Sequence, residues 1–135
     1  MRRAFLGVLG AVLLAGTGWA GPPEGEARTG AESWVALVDA RKYAESWTEA
    51  SGMFRKGVTK EKWVEMAGKA REPFGPLRSR SFLGAEFAKS LPGVPDGDYA
   101  IVRFQTAFEK KAAAIETISM TAEDGKWKVA GYFIR

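Results

Sequence analysis

The sequence contains no cysteine and no histidine among its 135 residues. The absence of cysteine excludes disulfide bonds, so stability has to come from packing. The absence of histidine excludes a Ser-His-Asp triad, a Cys-His pair and a histidine-ligated zinc site. Any general acid or base must therefore be Asp, Glu, Lys or Tyr, which makes hydrolase chemistry less expected without excluding it.

The first 20 residues have the pattern of a Sec-type signal peptide. Arg2 and Arg3 form a basic start, residues 4–15 are almost wholly apolar, and Gly18-Trp19-Ala20 places small residues where a signal peptidase cleaves. The apolar run is shorter than the roughly 20 residues that a spanning helix needs, although an uncleaved anchor is the alternative. We predict cleavage after Ala20, a periplasmic or secreted protein, and no stable membrane insertion after cleavage.

Removal of this leader leaves almost no excess charge. The leader holds two arginines and no acidic residue, so 18 basic and 16 acidic residues remain of the original 20 and 16. No block of Lys or Arg indicates a nucleic-acid surface, and we predict no nucleic-acid partner. The remaining chain of about 115 residues suits one domain with a modest core. We predict a flexible lead-in over residues 21–28 and a single domain over residues 29–135.

The first half of that domain has helical periodicity. Thr29 and Glu32 fit a capping box, and apolar residues then recur at spacings of three and four, which predicts a helix over about residues 30–50. A short helix or turn follows the break at residues 51–52. A further helix is predicted to begin after Thr59 as its N-cap and to end before Pro73.

The second half alternates with a period of two. Strands are predicted over residues 78–90, 99–108, 113–122 and 126–134, with a bulge at Gly84 and a two-residue hairpin loop at Asp124-Gly125. Helices that precede a run of strands indicate an α+β fold. We predict that the helices pack on one face of a four-stranded antiparallel meander.

The loop SLPGVPDGD over residues 90–98 has two interpretations. Pro92 and Pro95 stop the flanking strands, and the glycines allow positive φ, which favours a simple turn. A calcium site would use Asp96 and Asp98, but two carboxylates fall short of the 6–8 oxygen ligands that calcium takes. We favour the turn, and we predict no metal and no cofactor.

Glu116 is the candidate with the most chemical interest. In the register set by Asp124-Gly125, Met120 faces Val129, Ile118 faces Gly131 and Glu116 faces Phe133, which puts a carboxylate on the core face. A short turn at residues 109–111 would place Phe104 beside it. A buried carboxylate needs a partner, and Arg71 and Arg80 are the best candidates. The alternatives are a buried ion pair, the polar floor of a ligand pocket, or a solvent-facing position in another register.

The same register puts a second set of side chains on the opposite face of the sheet. Tyr99, Arg103 and Tyr132 would lie there, and we take them as candidate binding residues. If the apolar residues of that face are exposed together, it also becomes a candidate homodimer surface.

Seven short stretches resemble one known family across nearly all of residues 31–135. They are SWVALVD with YAESW (33–39 and 43–47), AREPFG with SR (70–75 and 79–80), LPGVPDGDY (91–99), ET (116–117) and DGKWKVAGYFI (124–134). The family is a group of small secreted bacterial proteins known as domain of unknown function 4019. This chain departs from the pattern at Phe74 and Gly52. The resemblance implies a fold similar to the cystatin-like and nuclear-transport-factor-two-like cones, and it implies no activity.

Three functions remain open from the sequence. The favoured one is a non-catalytic module that binds a partner protein, a small molecule or a second copy. The second is a small cone-type enzyme or ligand-binding protein with Glu116 as acid or base and Arg71 or Arg80 as an electrostatic clamp. The third is a structural or stress-related envelope protein.

Overall fold

The computed structural model describes residues 22–135. The predicted leader and its cleavage position lie outside these residues. The helical half consists of α1 (Glu26–Asp39), α2 (Tyr43–Glu49), α3 (Gly52–Gly57), α4 (Lys60–Arg71) and a short 3-10 helix (Glu72–Phe74). None of the helices in residues 22–135 is both long enough and apolar enough to cross a membrane.

The predicted first helix is wrong at its start and in its continuity. It begins at Glu26, so Thr29 lies inside the helix and the capping box does not form; Arg28 instead pairs with Glu32. It ends at Asp39, and a separate helix starts at Tyr43. Between them the chain reverses at Arg41, which has a φ of 63°. The helical periodicity of the sequence continues across this break, and no Gly or Pro marks it.

The later helices begin where the sequence predicts. Ser51 accepts a hydrogen bond from Phe54 N at 3.0 Å, and Thr59 accepts one from Lys62 N at 3.1 Å, so each hydroxyl caps a helix. The prediction for Thr59 is confirmed. α4 ends at Arg71, and Pro73 lies in the 3-10 helix that leads to the sheet.

The strands form one antiparallel sheet in chain order, and the α+β architecture is confirmed. The strands are β1 (Leu77–Ala88), β2 (Tyr99–Phe108), β3 (Lys111–Glu123) and β4 (Lys126–Ile134). α1 packs across all four strands. The predicted bulge near Gly84 is present, because Leu83 is skipped in the pairing of β1 with β2. The more specific likeness to a cone stays a prediction.

The β3–β4 register agrees with the prediction only near the turn. Met120 pairs with Val129 as expected, but Ala130 is skipped and Gly131 then pairs with Ser119. This bulge moves every later residue of β4 to the opposite face. Tyr132 therefore lies on the core face, whereas Phe133 is 63% exposed. The predicted faces of these two residues are wrong for this reason.

An aromatic cluster fills the space between the helices and the sheet. Trp34 contacts the rings of Phe54, Trp63 and Tyr132, with centroids 5.6–6.3 Å apart. Buried Ser46 fixes two of these rings, because its carbonyl accepts from Trp34 Nε1 at 2.8 Å and its hydroxyl accepts from Trp63 Nε1 at 2.9 Å. The indoles are therefore satisfied core residues.

The loop before β2 is held by its own contacts. Gly97 N donates to the Lys89 carbonyl at 2.8 Å, Asp98 is paired with Lys89, and the Tyr99 hydroxyl donates to the Pro95 carbonyl. Gly93 has the positive φ that the sequence predicts, whereas Gly97 does not. These contacts support the interpretation of this stretch as a turn.

Candidate functional site

Glu116 lies at the centre of the sheet and is completely buried. Phe104 is its neighbour on β2, as the sequence predicts. Its Oε1 accepts from Arg80 Nε at 2.7 Å and from the Thr106 hydroxyl at 2.5 Å. Its Oε2 accepts from Arg80 Nη2 at 3.2 Å and from the Tyr132 hydroxyl. A carboxylate offers about four lone-pair sites, so these bonds saturate it.

Arg80 connects Glu116 to a second carboxylate, that of Asp39 at the end of α1. Its Nη1 donates to Asp39 Oδ2 at 2.8 Å, and its Nη2 donates to Oδ1 at 3.0 Å. Arg71, at the end of α4, donates from Nη2 to Asp39 Oδ1 at 2.8 Å. Two arginines thus join two helix ends to the centre of the sheet.

The two predicted arginine partners have different roles in this network. Arg80 contacts Glu116 directly, whereas Arg71 reaches only Asp39. Asp39 is not among the candidate residues that the sequence predicts. The helix end at Asp39 positions this carboxylate, and no residue type in the sequence marks that end.

The network contains two carboxylates and two guanidinium groups, and burial and contacts with these charges shift the pKa of several of its members. Burial by itself would raise the pKa of the Asp39 carboxyl, but the hydrogen bonds and positive charges of Arg80 and Arg71 outweigh it, and the pKa lies below its ordinary value. Burial would lower the pKa of Arg80, but bonds to Asp39 and Glu116 raise it. Burial, together with the charge of Glu116, raises the pKa of the Tyr132 hydroxyl well above its ordinary value.

Asp39 should make folding sensitive to acid. Since its folded-state pKa lies below the ordinary value of 3.8, its stabilising contribution is present above that value and is lost as the pH falls through the folded-state pKa. We expect Asp39→Asn to unfold more easily than the parent at about pH 6, with a smaller difference at about pH 3. Urea unfolding at the two pH values measures this. Equal differences at both would contradict the ion-pair role of Asp39.

The three candidate binding residues do not form one surface. Tyr99 is 3% exposed beneath the loop before β2, and Tyr132 points into the core. Arg103 lies on the outer face as predicted, half-exposed and 3.5 Å from Glu86. Tyr99 lies on the same face by the alternation of β2, but the loop covers it. Whether any of the three contacts a partner stays a prediction.

An apolar cleft, which the sequence does not predict, lies where the helices meet the edge of β4. Its volume is about 390 Å³. The walls come from α3, α4 and β4, and they include Met53, Met66 and Phe133. Met66 is 51% exposed. The bulge at Ala130 creates this cleft, because it turns Phe133 outward. Gly131 leaves room for the Phe133 ring, since a Cβ at Gly131 would lie 3.2 Å from that ring.

Comparisons with known proteins agree with the resemblance seen in the motifs. No curated protein matches the chain. A family model described as protein of unknown function (DUF4019) matches residues 30–132, which cover α1 from its fifth residue through most of β4. The matched region includes the whole Asp39–Arg71–Arg80–Glu116 network. The chain therefore belongs to the DUF4019 family of proteins of unknown function.

Proposed function

We propose that this chain is a non-catalytic binding module of the bacterial envelope. It would take up an extended segment of a partner polypeptide along β4. The envelope location is supported by the leader pattern of residues 1–20. The observation that carries the proposal is an unpaired strand edge beside the apolar cleft.

The unpaired edge follows from the hydrogen-bond pattern of β4. Ile115 and Arg135 exchange both backbone hydrogen bonds, at 2.9 and 3.1 Å. In an antiparallel ladder the bonded pairs alternate, so the backbone N–H and C=O groups of Phe133 also point towards β3. Those of Tyr132 and Ile134 point outward, away from the sheet. Within residues 22–135, no backbone group bonds to these outward positions.

Edge strands with free backbone groups are templates for strand addition. A partner strand beside Tyr132 and Ile134 would place alternate side chains against the cleft that contains Met53 and Met66. Methionine side chains adapt to varied apolar surfaces, which suits a binding cleft. Nearer the start of β4 the edge already has a hydrogen-bond partner, since Ser51 N donates to the Val129 carbonyl at 2.9 Å. The proposed site is therefore confined to the last residues of β4.

The alternative function, acid–base catalysis by Glu116, has less support. Both of its oxygens are already saturated by Arg80, Thr106 and Tyr132. A general base needs a free lone pair within reach of a substrate proton. Using Glu116 in this way would require breaking at least one of these bonds in the core.

The test uses a displayed library of random peptides. Peptides that bind the parent protein are retained, and those that also bind the Met66→Asp variant are removed. We expect selected peptides with alternating apolar residues, and we expect their binding to slow hydrogen exchange at the Tyr132 and Ile134 amides. Loss of affinity in Met66→Asp and Phe133→Asp should be about tenfold or more, since each change puts a charge into an apolar contact.

The matched control is Leu83→Asp, because Leu83 on β1 is 52% exposed, like Met66. It should leave peptide affinity unchanged. The proposal fails if no peptide survives depletion, or if the survivors protect other amides. If a second copy of the chain occupies the edge instead, hydrogen exchange at the same two amides should slow as the protein concentration rises, without any peptide present.

A further inference from the structure

A second cleft, which shares no side chain with the one beside β4, lies between the end of α1 and the 3-10 helix. Its volume is about 280 Å³, near the lower end of ligand pockets at roughly 300 Å³. Val38 and Pro76 supply apolar wall, and the polar groups come from Asp39, Arg41, Tyr43, Arg71 and Glu72. A cleft of this size suits a small molecule.

Arg71 and Asp39 pair with each other in the wall of this cleft, but three other polar groups there, the exposed side chains of Arg41 and Glu72 and the Tyr43 hydroxyl, have no such partner among the residues that the structure describes. Within residues 22–135, Arg41 and Glu72 have no ion-pair or hydrogen-bond partner for their side chains. The Tyr43 ring is buried, but its hydroxyl is reached by solvent and has no partner in the same residues. Burial and then the negative charge of Glu72 raise the pKa of Tyr43, while Arg71 and Arg41 oppose this, so all three charges act at its hydroxyl.

Arg71 is a buried part of the cleft wall, where it is paired with Asp39. The side chain is 5% exposed, and its guanidinium lies 4.6 Å from the centre of the Phe108 ring. Nη2 bonds to Asp39, but Nε and Nη1 have no acceptor in residues 22–135. Buried donors without an acceptor are rare and costly. These two nitrogens are shielded from solvent, so we expect Arg71 to make no direct contact with a ligand in the cleft.

Arg41 occupies a backbone position that favours glycine. Arg41 N donates to the Val38 carbonyl at 3.0 Å and Lys42 N to the Leu37 carbonyl at 2.8 Å, which is the Schellman pattern at a helix end. The residue at Arg41 then takes a left-handed conformation, here with φ of 63°, which any side chain with a Cβ disfavours. A strained arginine with a free charge at a cleft points to use of that charge.

We propose that this cleft binds a free L-amino acid. Its carboxylate would lie against Arg41 and the Tyr43 hydroxyl, and its ammonium group would lie against Glu72. The charges of Arg41 and Glu72 sum to zero, as do those of Arg71 and Asp39. A ligand with one charge would leave one of the free groups uncompensated, whereas a zwitterion pairs with both.

The test titrates each of the twenty L-amino acids into the full folded protein and follows backbone amide shifts. We expect saturable shifts at the amides of residues 41–43, 72, 74 and 75 with at least one amino acid. Binding of that amino acid should be lost when its carboxylate is amidated or its amino group is acetylated. The proposal is wrong if no amino acid gives saturable shifts at millimolar concentration. It is also wrong if the amidated and acetylated forms bind as well as the unmodified amino acid.

The variant Arg41→Gly separates binding from folding. Glycine adopts the left-handed conformation without strain, so Tm should stay within about 0–5 °C above that of the parent. Affinity for the amino acid should fall about tenfold or more, since a charge-assisted contact is lost. Arg41→Lys should retain most of the affinity, and Glu72→Gln should lose it. Unchanged affinity in Arg41→Gly would overturn the assignment.

Discussion

Glu116→Ala should reduce the free energy of unfolding by about 3–5 kcal/mol, because it removes one partner of a buried ion pair. Arg80, which is 12% exposed, would keep its charge with only Asp39 to balance it. The hydroxyls of Thr106 and Tyr132 would also lose their acceptor. Urea unfolding monitored by tryptophan fluorescence measures the change as a shift in midpoint at constant slope.

Glu86→Ala is the matched control for this experiment. Glu86 also pairs with an arginine, but its side chain is 74% exposed and lies 3.5 Å from Arg103. Exposed pairs contribute at most about 1 kcal/mol, so this variant should unfold close to the parent. If Glu116→Ala were as mild as Glu86→Ala, the network would not hold the helices to the sheet.

A double variant distinguishes a lost charge balance from a lost packing contact. Glu116→Leu combined with Arg80→Met removes both charges and keeps most of the volume. Replacement of a buried pair by apolar residues is often neutral, so the double variant should be more stable than Glu116→Ala. The two hydroxyls that bonded to Glu116 remain without an acceptor, so the recovery should be partial. A double variant less stable than Glu116→Ala would contradict this account.

The sequence predicts much of the fold because local signals agree with it. The period of two and the Asp124-Gly125 turn predict the sheet, and Thr59 predicts the start of α4. The helix break at Asp39 could not be predicted, since a Schellman turn usually carries Gly at the position where this chain has Arg41. Tertiary pairing of Asp39 with Arg71 and Arg80 accompanies that break, and pairing of this kind has no local signature.

The bulge at Ala130 has a signal in the sequence, although the predicted register contains no bulge there. A glycine inside a strand often marks a bulge, and Gly131 follows Ala130 directly. Placing the bulge there would have moved Tyr132 to the face of Glu116 and Phe133 to the surface. Both the complete network around Glu116 and the cleft beside β4 depend on this one residue. The bulged strand therefore links the buried network to the proposed binding edge.

Tyr132→Phe should reduce the free energy of unfolding by about 1.5–3 kcal/mol at neutral pH, since it removes a hydrogen bond to a charged acceptor. The hydroxyl donates to Glu116 Oε2 in the core. Burial and then the charge of Glu116 raise the folded-state pKa of Tyr132 well above its ordinary value of 10.0. The contribution of this group is therefore fully present below pH 10.0 and is lost as the pH rises through the folded-state pKa.

The difference in unfolding free energy between the parent and Tyr132→Phe should consequently shrink as the pH rises above 10.0. The unfolded parent can ionise this tyrosine, whereas the folded parent keeps it protonated and the variant has nothing to titrate there. Urea unfolding of both proteins at about pH 7 and about pH 11 measures the difference. Tyr99→Phe is the control at neutral pH: its hydroxyl bonds to the neutral Pro95 carbonyl, so its cost should be smaller, about 0.5–1.5 kcal/mol. A Tyr132→Phe cost that did not change with pH would show that Tyr132 ionises normally, and it would separate this hydroxyl from the charge of Glu116.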